Sequence, residues 1–159
     1  MVTFEDLCAG KGTLAVVGLG YVGLPLAVAF SRHMPVLGFD CSARRIAELK
    51  AGSDHTREVD HDRLAAARVR YSDNPADLRQ ADVVVVAVPT PIDHHRSPDL
   101  TPVVGASTTV GQNLRPGCVV VYESTVYPGL TEEQLCRFFP EKEATAKTLL
   151  AHMLKEGRV

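Results

Sequence analysis

No stretch of this 159-residue chain is apolar over the roughly 18 residues that a membrane-spanning helix requires. Neither sign of charge is in excess: Lys and Arg number 17 against 19 Asp and Glu, a net charge of −2. That balance leaves no basic footprint for nucleic acid or for an anionic membrane. Cysteine is sparse, and Cys8, Cys41, Cys118 and Cys136 show neither CxxC spacing nor the pattern of a small secreted domain. They read as reduced thiols of the cytosol. Glu5 and Asp6 stand where a signal peptide would carry positive charge. Internal repeats and low-complexity segments are absent as well. What remains, 45% hydrophobic and 23% charged residues, describes a soluble, cytoplasmic globular domain with enough chain for a proper core.

Strand and helix patterns alternate along that domain. Residues 13–17 form an apolar run, as does Asp82 to Val88, whose β-branched residues suit a strand buried on both faces. Further strands are expected at Pro35 to Phe39, Val69 to Ser72 and Cys118 to Tyr122. Helices are expected at 21–33, from a Ser42 cap to Lys50 with Gly52 ending it, through Leu64 to Ala67, from Asn74-Pro75 to Gln80, and from Thr101 to Leu114. This alternation predicts an α/β domain with a doubly wound parallel sheet in the order 3-2-1-4-5. Residues 1–133 would form it.

The first strand runs directly into Gly18-Leu19-Gly20-Tyr21-Val22-Gly23, and a helix follows. In such a fingerprint each glycine has its own task. Gly18 makes the sharp turn, Gly20 lets the backbone approach a pyrophosphate, and Gly23 lets the helix pack closely on the sheet. The helix start then presents free N–H groups and a positive dipole end to the phosphates. Asp40 ends the second strand about 20 residues beyond Gly20, where a carboxylate accepts from the adenosine ribose hydroxyls. The cofactor this pattern predicts is a dinucleotide, with NAD favoured over NADP because Asp40 would repel a 2′-phosphate.

Strand four ends in Val88-Pro89-Thr90-Pro91, and strand five in Tyr122-Glu123-Ser124-Thr125-Val126-Tyr127-Pro128-Gly129. Both loops fall on the rim that the glycine turn occupies, where open parallel sheets bind their ligands. Together with Gly18 to Pro25 and Pro98-Asp99-Leu100, these motifs resemble, in order and spacing, the UDP-glucose/GDP-mannose dehydrogenase family. The likeness covers about Thr13 to Glu133 and lies nearest the branch that oxidises UDP-N-acetylhexosamines (GlcNAc or ManNAc) at C6.

The resemblance implies a Rossmann-type NAD-binding half of an enzyme that takes a nucleotide-sugar C6 alcohol to a carboxylate in two NAD-dependent oxidations. The uronic acids so made would feed capsule or O-antigen polysaccharide. It further implies that Tyr21 and Val22 contact the pyrophosphate, and that Asp40 and Arg45 hold the adenosine ribose and its surroundings. Thr90 and Thr125 would line the cofactor path, with Thr125 nearest the nicotinamide and a bound water, and a UDP-sugar would be the substrate. Arg45 also has a plainer reading, as a solvated helix residue. No metal is expected: His94-His95 beside Asp93 reads as a solvated loop, and His61-Asp62 as part of a polar connector.

Family members go on to a catalytic glutamate, a long helix and a second domain with a lysine, an asparagine, a nucleophilic cysteine and an aspartate. None of these is recognised after Glu133, so the chain alone is expected to be inactive. A non-catalytic dinucleotide-binding or interaction module, or a truncated gene product, is the alternative. Residues 134–159 read as a helical tail, with Ala144, Leu149, Leu150, Met153 and Leu154 as an apolar stripe. With the sheet ending at strand five, its apolar edge would be covered by that helix or shared in a homodimer.

Overall fold

The computed structural model describes residues 2–91, 98–123, 135–139 and 145–148. Six parallel strands form one sheet: β1 (Leu14–Val17), β2 (Val36–Phe39), β3 (Val69–Ser72), β4 (Val83–Val86), β5 (Val119–Tyr122) and β6 (Thr145–Thr148), ordered β3-β2-β1-β4-β5-β6. The helices are α1 (Phe4–Cys8), α2 (Gly23–Phe30), α3 (Ala43–Lys50), α4 (His61–Ala66) and α5 (Thr101–Asn113). Short 3₁₀ turns cover Pro75–Gln80 and Leu135–Phe138. The Rossmann-type architecture and the order of the first five strands are those expected.

Side chains alternate across the sheet, so each strand feeds two cores. Ala15, Val17, Val84, Val86 and Val120 face one layer with Val103 and Val110 of α5. Leu14, Val16 and Val85 face the other with Leu24, Ala27 and Val28 of α2 and Ile46 and Leu49 of α3. Continuous apolar runs are needed because both faces of β1 and β4 are covered. The ladder extends past the strand ends at the carboxyl rim. There Gly18 N donates to Phe39 O at 2.9 Å, Ala87 N to Val17 O at 2.8 Å, and Glu123 N to Val86 O at 2.9 Å. These bonds fix where the rim loops begin.

Two features depart from the expectation. The helix α1 was not foreseen; Thr3 and Asp6 cap it reciprocally, and Leu7 is buried. The expected helical tail with strand five at the sheet edge gives way at 145–148, where β6 pairs with β5, Val119 opposite Thr145. A strand there satisfies the outer backbone groups of β5, which a covering helix would leave unpaired. It also removes the bare β5 edge on which the homodimer argument rested. The expected apolar stripe of Ala144, Leu149, Leu150, Met153 and Leu154 lies outside the described residues.

Candidate cofactor site

The chain leaves β1 toward β2 on one side and reaches β4 on the other, which puts the reversal of strand order beside β1. A cleft of about 410 Å³ opens at that carboxyl rim, lined by Gly20, Tyr21, Asp40, Arg45, Thr90 and Glu123 among others. The three glycines divide the work as their spacing suggests. Gly18 turns at φ +90°, and a Cβ there would come within 3.0 Å of the Ala87 carbonyl oxygen. Gly23 starts α2 where a Cβ would overlap the Gly18 carbonyl. Gly20 differs from both. Apart from its chain neighbours, no atom of the described residues lies within 4 Å of the place its Cβ would take, so none of them calls for glycine there.

No side chain caps α2, whose N-cap residue is Val22. Within its first turn Leu24 N donates to Gly20 O at 3.2 Å and Leu26 N to Val22 O at 3.3 Å, while Gly20, Tyr21 and Val22, just ahead of the helix, line the cleft. Tyr21 and Val22 are 69% and 55% exposed, an aromatic and an aliphatic side chain held out at the cleft mouth.

Asp40 is braced from two directions. Its Oδ2 accepts from Leu19 N and its Oδ1 from Ser42 N, each at 2.9 Å. A carboxylate oxygen can accept a second bond, so both oxygens keep capacity for ribose hydroxyls. Arg45 is neither solvated nor wholly turned to the cleft: it is 6% exposed. Its Nε donates to Leu19 O at 2.9 Å, its Nη2 lies 2.8 Å from Asp54 Oδ1, and its Nη1 is 3.2 Å from Glu48 Oε1. Burial opposes the Asp54 charge, but donors from Thr56, Arg45 and Val59 outweigh it and hold the carboxyl down at about 2.

The loop after α3 therefore belongs to the site, with His55 and Thr56 lining the cleft beside Ser42 and beside Arg44 and Glu48 of α3. Sequence reasoning placed Glu48 in the helix from Ser42 to Lys50 without a role, and read the stretch that holds His55 and Thr56 as polar and irregular. The Asp54-x-Thr56 spacing, an Asx turn in which Asp54 Oδ1 accepts from Thr56 N at 3.1 Å, was the available signal. Thr90 reaches the cleft from the loop after β4, and Glu123 from the end of β5. Thr125 and the His94-His95 pair lie outside the described residues. Among the described residues no group of three His, Cys, Asp or Glu could hold a metal ion, and no helix is long and apolar enough to cross a membrane. Cys118 is buried, which pushes its thiol up to about 11, whereas Cys8 and Cys41 are exposed.

The site fits a dinucleotide: a bare glycine where a pyrophosphate could approach the backbone, then a two-oxygen acceptor for a ribose. Comparison with known proteins agrees. Residues 12–153 match the UDP-glucose/GDP-mannose dehydrogenase family, NAD binding domain. Protein CapL of Staphylococcus aureus is 54% identical over 121 residues, covering 76% of this chain and 28% of that protein. The UDP-N-acetyl-D-glucosamine 6-dehydrogenase of Pseudomonas aeruginosa is 55% identical over 121 residues, covering 76% and 29%. Among solved structures, UDP-D-ManNAc dehydrogenase from Pyrococcus horikoshii superposes with a TM-score of 0.75 at 29% identity, covering 86% of this chain and 35% of that one. The chain thus spans under a third of the length of those two relatives, and the part it spans is the cofactor domain. It belongs to the UDP-glucose/GDP-mannose dehydrogenase family and carries that family's NAD binding domain.

Proposed function

We propose that this domain binds NAD for the oxidation of a UDP-N-acetylhexosamine at C6, a step toward surface polysaccharide, and that these residues alone do not complete that reaction. The observation that carries the cofactor reading is Gly20, a glycine that no neighbour among the described residues requires, in a loop that lines the cleft. On this reading the amides of Tyr21 and Val22 and the start of α2 take the pyrophosphate, and Asp40 takes the adenosine ribose. Thr90 and Thr125 line the path toward the nicotinamide. NAD held by these residues would supply the hydride acceptor for the sugar carbinol. The choice of sugar rests on relatives such as the Pseudomonas enzyme, whose name specifies UDP-N-acetyl-D-glucosamine.

One observation favours a binding role for the chain by itself. Of the cysteines whose side chains are described, Cys8, Cys41 and Cys118 lie outside the cleft lining and are not placed to hold an aldehyde for a second oxidation. Titration calorimetry of the 159-residue chain with NAD, beside an NADH-absorbance assay with UDP-GlcNAc and UDP-ManNAc, tests both halves. Binding without NADH formation is the expected outcome. Absence of NAD binding would sink the cofactor reading, and steady NADH formation would sink the claim of inactivity.

A further inference from the structure

We propose that His55 is a cofactor-contact residue: its imidazole ring, held in place by Glu48, forms the face against which the adenine base of the dinucleotide stacks. The inference rests on the NAD reading above and extends it to the base, to which that reading assigns no residue.

In a dinucleotide the base and the phosphate leave the ribose from different carbons. With the pyrophosphate at the glycine loop and the ribose at Asp40, the adenine falls on the α3 side of Asp40. There Arg44 and Arg45 of α3 and His55 and Thr56 of the following loop line the cleft. Adenine is an uncharged planar ring, and a flat aromatic side chain gives its face a partner that water does not. Among the described residues that line the cleft, only Tyr21 and His55 carry aromatic rings, and Tyr21 belongs to the glycine loop. His55 is therefore the ring on the α3 side, with Arg45 a second contact at the same end of the ligand.

The imidazole is held more firmly than its exposure suggests. The side chain is 59% exposed, yet Glu48 grips the residue at two points. Glu48 Oε1 accepts from His55 N, and Oε2 lies 2.7 Å from Nδ1. That separation from a carboxylate oxygen requires a proton on Nδ1. Arg45 Nη1 is 3.1 Å from the same nitrogen but can only donate, and it finds its acceptor in Glu48 Oε1 at 3.2 Å. Burial opposes the charge on Glu48, but donors from His55 and Arg45 outweigh it and hold the carboxyl below its ordinary value. The clamp thus stays charged at neutral pH. Loop closure does not account for the bond to the ring. Asp54 closes the loop, its Oδ1 accepting from Thr56 N and its Oδ2 from Glu58 N and Val59 N, each at 3.1 Å. The Nδ1 bond fixes only an imidazole at the cleft, and a ring ordered before the ligand arrives gives up less freedom on binding.

Calorimetric titration of the full chain with NAD and with AMP, for wild type, His55→Ala and His55→Phe, tests this beside proton NMR of the imidazole signals. His55→Ala is expected to raise the Kd for both ligands by about tenfold, as removal of an aromatic surface from beneath a base does. His55→Phe keeps a flat ring and should stay within about threefold of wild type. In the wild-type protein the His55 signals, identified by their absence from either variant, should move upfield as AMP is added, as protons over a ring face do. Wild-type affinity in a folded His55→Ala would overturn the inference. So would a His55→Phe as weak as His55→Ala, or His55 signals that stay in place on saturation with AMP. The NMR arm needs only one folded variant for the assignment. Failure of the wild type to bind NAD would instead remove the cofactor reading beneath the proposal, and the proposal with it.

Discussion

Gly23 opens α2 so close beneath Gly18 that a methyl group on it would overlap the Gly18 carbonyl oxygen and lie 3.3 Å from Ala87 Cβ. Gly20, in the same loop, has open space at the corresponding place. The two alanine variants should therefore fail in different ways. Gly23→Ala is expected to lose about 1–3 kcal/mol of stability through overpacking against backbone. Gly20→Ala should keep the wild-type melting temperature and lose NAD affinity. Thermal melts with and without NAD separate the two, and a normally binding Gly20→Ala would count against the pyrophosphate assignment.

Asp40 should set the choice between NAD and NADP, because a 2′-phosphate would meet its carboxylate. NAD at a hundredfold its Kd should stabilise the domain by about 2.7 kcal/mol, a melting shift of roughly 5–10 °C. NADP at the same concentration should shift it less. Asp40→Ser should weaken NAD and narrow the gap, and it should also remove the 2.9 Å acceptor from Leu19 N. Equal shifts for the two cofactors in the wild type would contradict this role.

Acid should act through Asp54, whose carboxyl is held at about 2 in the fold against an ordinary 3.8. A folded pKa below the unfolded one means the stabilisation is complete above about pH 5 and is lost as pH falls through the folded value. Its size is about 2 kcal/mol at most. Urea midpoints followed downward in pH should fall for wild type. Asp54→Asn should be less stable near neutrality and show a shallower fall.

Tyr71 carries a hydroxyl that is buried and meets no hydrogen-bonding partner among the described residues. Burial pushes its pKa up to about 12. Tyr71→Phe deletes a desolvated donor and keeps the ring, so it should stabilise the domain by about 1 kcal/mol, or 2–4 °C in melting temperature. A drop of that size would show that the hydroxyl is partnered in solution.

The parts legible in the sequence were those whose reasons are local. The valine runs of β1 and β4, the Gly18-x-Gly20-x-x-Gly23 spacing and Asp40 at the end of β2 each declare themselves within a few residues. The burial of Arg45 did not, because it depends on Asp54 and Leu19, distant in sequence, and a lone arginine on an amphipathic helix looks solvated. The strand β6 was hidden for a related reason. Thr145-Ala146-Lys147-Thr148 has little apolar character of its own, and the unpaired flank of β5 decides its conformation. Helix α1 was missed because its capping pair, Thr3 and Asp6, frames only five helical residues.

Leu19 is tied at both faces of its peptide units, its N–H to Asp40 and its carbonyl to Arg45. A loop with three glycines in six residues would otherwise carry the largest backbone entropy of any segment in the domain. Those two bonds confine it when the chain folds and not when a ligand arrives. A ligand docking on this loop then meets amides already in place and gives up less of its binding free energy to ordering the protein. Tight recognition by a glycine-rich turn, which looks paradoxical for the most flexible residue type, follows from two side chains that anchor the residue between its first two glycines.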